Sequence, residues 1–189
     1  MRVPGCSMAV AAVLAAGPAA ANPVKSLYTT VELKSCKPLK RHKDGDAWRC
    51  EGLPGYPVYV AAGDLRQFVS AGKNAEYRRA ATQTLGPFNS IFENGHQRAT
   101  IEWRFALRAG VQIPYATIVR YHTSRQGRSG DVLVISKVTP QESCHVAYID
   151  ALANADAIAL ARRVADEQAR TFDCRQEPRA MGERGKSPM

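Results

Sequence analysis

Thr100-Ile101-Glu102-Trp103-Arg104-Phe105-Ala106-Leu107 decides the fold class. Ile101, Trp103, Phe105 and Leu107 alternate with Thr100, Glu102, Arg104 and Ala106. Period two over eight residues is the pattern of a strand with one face in a core and the other open. Outward from it, the same pattern recurs. On the N-terminal side, Tyr56–Ala61 and Leu65–Ser70 read as strands about a turn at Gly63-Asp64, and Trp48–Cys50 as a short strand ending in Gly52-Leu53-Pro54-Gly55. Leu27–Leu33 reads as the opening strand. Ser90–Glu93 leads into Asn94-Gly95, a two-residue turn signal, so residues 88–107 are expected to form a hairpin. On the C-terminal side, Pro114 opens a strand over Tyr115–Thr123, Ser124–Asp131 reads as a hairpin loop, and Val132–Val138 and Cys144–Ile149 follow as strands.

From Asn154 the period changes. Ile158, Ala161, Ala165 and Phe172 share a stripe, with Arg162, Arg163, Asp166, Glu167 and Arg170 mainly away from it. This predicts an amphipathic helix capped by Asn154 and lying across the sheet. The expected fold is therefore α+β: a mainly antiparallel sheet of six or seven strands packed by one long C-terminal helix. Arg175–Met189 carries Pro, Gly and charge but no large aliphatic or aromatic side chain, and reads as a disordered tail.

The N-terminus reads as an export signal. Arg2 precedes a nearly charge-free run to Ala21, Ala-rich at its centre, with Pro18 and then Ala19, Ala20 and Ala21 as small residues for cleavage before Asn22. The run is too short and small-sided for a stable membrane span, and no later segment suits one. The expected organisation is a signal peptide over 1–21, one domain over 22–174 and a tail over 175–189. Loss of the leader removes Cys6 and leaves Cys36, Cys50, Cys144 and Cys174. An even number outside the cytosol predicts two disulfides. Three pairings are open. Cys36–Cys50 and Cys144–Cys174 are favoured, because the first closes a polar turn and the second staples a helix end to a strand. Loop closure would make them worth about 3 and about 4 kcal/mol. Bridged cysteines are neither nucleophiles nor thiolate metal ligands, and no C-x-x-C pair occurs.

The formal net charge is +9, of which the leader holds one positive charge. A basic surface favours an anionic partner. In an exported protein that points to an anionic or protein partner in the cell envelope rather than nucleic acid, and oligomeric state is not readable. No cofactor motif is present: Gly127-Arg128-Ser129-Gly130 lacks phosphate-loop spacing, and no G-x-S-x-G elbow occurs. Of the four histidines, His42 and His96 lie in loops, while His122 and His145 lie on strands that can converge. His145, with Ser143 and Asp150 near in sequence, is the candidate general base of a hydrolase. Asp64, Glu93, Glu102 and Asp150 are candidates for a carboxylate pair. The strand aromatics Tyr56, Tyr59, Tyr115, Tyr121 and Trp48 are read as core rather than a sugar platform.

The sharper candidates are charges within strands. Glu102 and Arg104 share one face, Arg120 and His122 share a face of the next strand, and Arg66 lies on an earlier one. Aligned, Glu102, Arg104 and Arg120 would form a charged ladder on the open sheet face, with Arg66, Arg104 and Arg120 contacting an anionic or peptide partner. The bland account is cross-strand pairing worth up to about 1 kcal/mol. The leading functional expectation is a non-enzymatic periplasmic binding or interaction module. An inhibitor of a hydrolase is one version of it, and an envelope hydrolase using a histidine or paired carboxylates is the alternative.

Several segments together resemble a family of small uncharacterised exported proteins of alphaproteobacteria. They are Gly63-Asp64-Leu65-Arg66-Gln67-Phe68-Val69-Ser70, Gln83-Thr84-Leu85-Gly86-Pro87-Phe88-Asn89, Thr100–Arg104, Cys144-His145-Val146-Ala147-Tyr148-Ile149-Asp150, Leu160-Ala161-Arg162 and Phe172-Asp173-Cys174. The resemblance spans most of residues 30–175. It implies a periplasmic home and assigns no activity, cofactor or site residue.

Overall fold

The computed structural model describes Met1 and residues 25–39, 45–93 and 96–189. The leader from residue 2 onward, His42 and the Asn94-Gly95 turn lie outside the described residues. In chain order the strands are β1 (Lys25–Glu32), β2 (Lys37–Pro38), β3 (Asp46–Leu53), β4 (Tyr56–Gly63), β5 (Arg66–Ala71), β6 (Phe88–Ser90), β7 (Arg98–Arg108), β8 (Val111–Arg125), β9 (Arg128–Val138), β10 (Ser143–Asp150) and β11 (Arg179–Met181); the helix α1 is Ala157–Gln168. Among the described residues strands make up 53% and helical segments 14%, so the fold is mostly β, not the expected α+β body with a long helix.

Two sheets form. One has seven strands in the order β1-β7-β8-β9-β10-β11, with β6 beside the outer half of β8; the other has four, in the order β2-β3-β4-β5. All pairs are antiparallel except β10–β11, so the larger sheet is mixed. Between the sheets lies one core, built from Val58, Val60 and Val69 of the smaller sheet and Ile101, Trp103, Val119, Tyr121 and Val134 of the larger. On the opposite face of the larger sheet, Ala161, Val164 and Ala165 of α1 pack on Ala116, Ile118, Leu133 and Ile135. Small alanine side chains let the helix axis approach closely.

The decisive octet is part of β7, but both faces are covered over Ile101–Phe105, and Leu107, expected on the core face, is exposed beyond the register shift. Trp103 is fully buried and donates Nε1–H to Thr29 Oγ1 at 2.8 Å, while Glu102 and Arg104 are buried under α1. Period two reports the pleat; it does not report whether a helix crosses the second face. Pro114 sits within β8 rather than at its start. A register shift opposite Arg104/Phe105 accommodates it, as expected for a proline that cannot donate to the ladder.

The expected 88–107 hairpin is not made: β6 pairs with β8, not β7. A three-residue strand cannot advertise its partner. The Ser124–Asp131 loop contracts to Gln126-Gly127, both at positive φ, and β8 and β9 continue up to it. Asp64-Leu65 and Ala109-Gly110 make similar two-residue connections with positive φ at both positions.

The helix is also shorter than expected. It begins after Asp156, ends at Gln168, and leaves Ile158 exposed. Asn154 does not cap it with its side chain. Its amide instead donates to Asp150 O and Glu183 O and accepts from Glu183 N–H, which ties down the C-terminal segment. That segment departs from the expected disordered tail. β11 pairs with β10, and Ser187 is buried. Backbone hydrogen bonds to a buried carboxylate hold it, an anchor that apolar composition does not reveal. Gly130 permits the close approach, because a Cβ there would lie 2.5 Å from Ser187 Cα. Cys36–Cys50 and Cys144–Cys174 are both bonded, with Cα separations of 4.3 and 5.7 Å. Among the described residues no helix is long and apolar enough to cross a membrane.

Candidate functional site

The charged residues marked out in the sequence fall into three places. Glu102 and Arg104 lie between the larger sheet and α1. Arg104 forks onto Asp166, with Nε–Oδ1 at 2.9 Å and Nη2–Oδ2 at 2.7 Å, and also donates to Ser26. Arg162 clasps Glu102 at 2.7 and 3.2 Å and reaches Tyr28. Tyr115 donates to Asp166 at 2.6 Å, and the Arg170 guanidinium stacks 4.0 Å from the Tyr115 ring centroid. Burial works against the Arg104 charge, yet Asp166, Tyr115 and Glu102 outweigh it and raise its pKa. This network clamps α1 to the sheet. Arg104 is therefore turned inward, and the ladder Glu102–Arg104–Arg120 does not assemble on an open face.

His145 is the second case. It is fully buried, its Nδ1 is 2.9 Å from Tyr148 OH, and burial pushes its pKa down to about 3. Neutral and closed from solvent, it cannot serve a substrate. Asp150 does not face it as an orienting acid. Its carboxylate accepts four backbone N–H groups: Leu152 and Ala153 on Oδ1, and Lys186 and Ser187 on Oδ2.

The third place is a cleft of about 500 Å³ at the β8–β9 hairpin end of the larger sheet. Its floor is set by strand register. Ser90, His122 and Asp131 are consecutive cross-strand partners on β6, β8 and β9, and Phe88, Ser124 and Ser129 form the next row. Directly paired residues share a sheet face, so both rows line one surface. His122 Nδ1 is 2.7 Å from Asp131 Oδ1, and Arg120 Nη1 donates to Asp131 Oδ2 at 3.2 Å. An ionised carboxylate only accepts, so the neutral imidazole carries its proton on Nδ1 and presents the Nε2 lone pair. Thr123, whose buried hydroxyl has no hydrogen-bond partner among the described residues, also lines the cleft.

Three exposed apolar side chains stand around the cleft, and Glu93, one of the candidate carboxylates, also lines it. Leu65 is 71% exposed, Phe88 45% and Leu152 48%, and all three border the cleft. Leu65 stands at φ +57, a left-handed conformation that a leucine adopts at a cost. Buried Asn89 fixes it there. Its N–H donates to Leu65 O at 3.0 Å, and its Oδ1 accepts from Gln67 N–H at 3.0 Å. Arg66 lies over the Phe88 ring, 5.6 Å from the centroid, while bonded to Gly86 O and Asp64. On the other side, Asp150 anchors Leu152, and Ser187 brackets Asp131 by bonding its N–H and its carbonyl oxygen.

Arg66, Arg120 and His122 are thus gathered at or beside the cleft, while Glu102, Arg104 and His145 are not. Sequence reasoning missed Asp131, Ser90 and the apolar walls. A loop centred on Gln126-Gly127 places 122 opposite 131, so Asp131 was within reach of a register count. The sequence placed an extended arm at residues 88–93, but nothing in it announced that β6 pairs with β8. Among the described residues, no three His, Cys, Asp or Glu side chains are grouped to hold a metal ion.

The chain matches no family model, no curated protein and no solved structure. Function is therefore argued from the cleft itself.

Proposed function

We propose that this chain is an exported binding protein of the bacterial envelope, and that its ligand is a small amphipathic molecule held in the cleft between Leu65, Phe88 and Leu152. The leader-like N-terminus, the two disulfides and the resemblance to exported alphaproteobacterial proteins support the location. One observation carries the ligand site. Three of the large apolar side chains that remain exposed converge on a single concavity whose floor is polar. Apolar walls with a few converging polar groups are the usual make-up of a small-ligand pocket. The apolar part of the ligand would lie against Leu65, Phe88 and Leu152. Its polar head would meet His122, Ser124 and Ser129.

The test uses 1-anilinonaphthalene-8-sulfonate as probe. Saturable fluorescence enhancement is expected with the wild-type chain. It should weaken at least about tenfold in Leu65→Asp and Phe88→Asp, since placing a carboxylate on either wall costs more than about 1.4 kcal/mol of apolar contact. Both side chains are exposed, so folding should be retained. Equal probe affinity in all three proteins would overturn the proposal.

A further inference from the structure

Beyond binding, we infer that the cleft hydrolyses small acyl esters, with Ser90 as nucleophile, His122 as general base and Asp131 as the group that orients the imidazole. The inference rests on the reading of the cleft as a ligand site and adds an activity to it.

The geometry supplies the parts in order. Asp131, His122 and Ser90 lie side by side on three adjacent strands, one register row of one sheet face. The carboxylate holds the imidazole by Nδ1 at 2.7 Å, which leaves Nε2 outside that bond on a residue that lines the cleft. Arg120 on the second carboxylate oxygen and Ser187 on the Asp131 backbone fix the acid in place. These are the roles that define a nucleophile–base–orienter set, which is recognised by geometry rather than by chain order. Here the order along the chain is Ser, His, Asp, and no nucleophile elbow is needed because a sheet face presents the hydroxyl.

Ser90 Oγ accepts from Phe92 N–H and faces Phe92 O, each at 2.9 Å, with Gln67 Oε1 as a further acceptor at 3.3 Å. Its register partner is His122, and side chains so paired have Cβ atoms about 5 Å apart. One change of χ1 well carries the hydroxyl from Phe92 towards Nε2, a tightening typical of sites that close on substrate. The apolar walls suit a short acyl chain, and Ser124 and Ser129 suit the polar alcohol.

The step balances without a co-reactant other than water. Ser90 Oγ bonds to the ester carbonyl carbon while its proton passes to His122 Nε2. The tetrahedral intermediate collapses, the carbon–oxygen bond to the alcohol breaks, and the alcohol leaves with the proton from Nε2. Water, deprotonated by the same nitrogen, attacks the acyl-Ser90 carbonyl, releases the acid and restores the serine.

The experiment uses the full disulfide-bonded chain and 4-nitrophenyl butyrate. Saturable hydrolysis above the buffer rate is expected, falling about a hundredfold or more in Ser90→Ala and in His122→Ala, while 1-anilinonaphthalene-8-sulfonate still binds Ser90→Ala, which removes no group assigned to the ligand's polar head. A fluorophosphonate should label the wild-type chain, with the adduct mapped to Ser90. This second reading does not depend on the folding of any variant. No hydrolysis above buffer, or an adduct on another residue, overturns the inference. If probe binding to the cleft persists without hydrolysis, the activity falls and the binding site stands. If the probe does not bind the cleft either, both fall.

Discussion

Alanine in place of Asp150 is expected to lower stability by on the order of 4 kcal/mol, a large share of what a domain of this size has. The carboxylate is fully buried and accepts four backbone N–H groups, two from the segment after β10 and two from the C-terminal segment. Each donor left buried without a partner costs about 1–3 kcal/mol. The two at Lys186 and Ser187 can recover water only by peeling the segment away from Gly130. Urea unfolding should show the loss, and limited proteolysis should cut the variant near residues 183–187 while sparing the wild type. The same carboxylate makes stability acid-sensitive. Burial by itself would raise its pKa, but hydrogen bonds from Ser187, Lys186 and Ala153 outweigh that and hold it below 3.8. A carboxyl group with a lower folded than unfolded pKa stabilises above the unfolded value, and that contribution disappears as pH falls through the folded one. Stability should therefore drop as pH is lowered below about 4, and Asp150→Asn should flatten that portion of the curve. An Asp150→Ala chain as stable as wild type would contradict this account of the C-terminal segment. Because Asp150 also holds Leu152 and, through Ser187, flanks Asp131, the variant should lose cleft binding as well.

The second large effect is expected at Arg104. Removing a partner from a buried ion pair costs about 3–5 kcal/mol, because the remaining charge stays desolvated. Arg104→Ala leaves Asp166 without its fork and Glu102 with Arg162 as its remaining cation. The apolar pair Arg104→Met with Asp166→Leu removes both charges and should recover most of the loss. A double-mutant cycle by urea unfolding separates the two. A cost below about 1 kcal/mol for Arg104→Ala would mean that the network does not clamp α1. The cleft lies at the far end of the sheet, so its probe affinity should be unchanged in any variant that still folds.

These two residues also show what the sequence could and could not convey. The alternation over residues 100–107 identified β7 and its core face, because side-chain direction along a strand is local. It marked Glu102 and Arg104 as facing away from that core, which they do. It was silent on the helix lying over them, because helix placement is a long-range fact. The cysteine pairing was legible from loop chemistry: Cys36 and Cys50 close a turn, and Cys144 and Cys174 join the last long strand to the segment after α1. The order of the C-terminal segment was not legible, because backbone amides on Asp150, not large apolar side chains, hold it. The cleft was half legible. His122 and Arg120 stood out as charged groups on a strand. Asp131 was hidden in what read as a loop, and Leu65 was hidden in a turn conformation that leucine seldom takes.

The cleft as ligand site is tested most directly by recording ¹H–¹⁵N correlation spectra of the disulfide-bonded chain during titration with octanoate, a simple amphipathic acid. The account predicts saturable shifts concentrated at Leu65, Phe88, His122, Gly130 and Leu152. Shifts gathered instead at the exposed Leu107 and Val111 of the β7–β8 hairpin, or no saturable shifts at all, would contradict it.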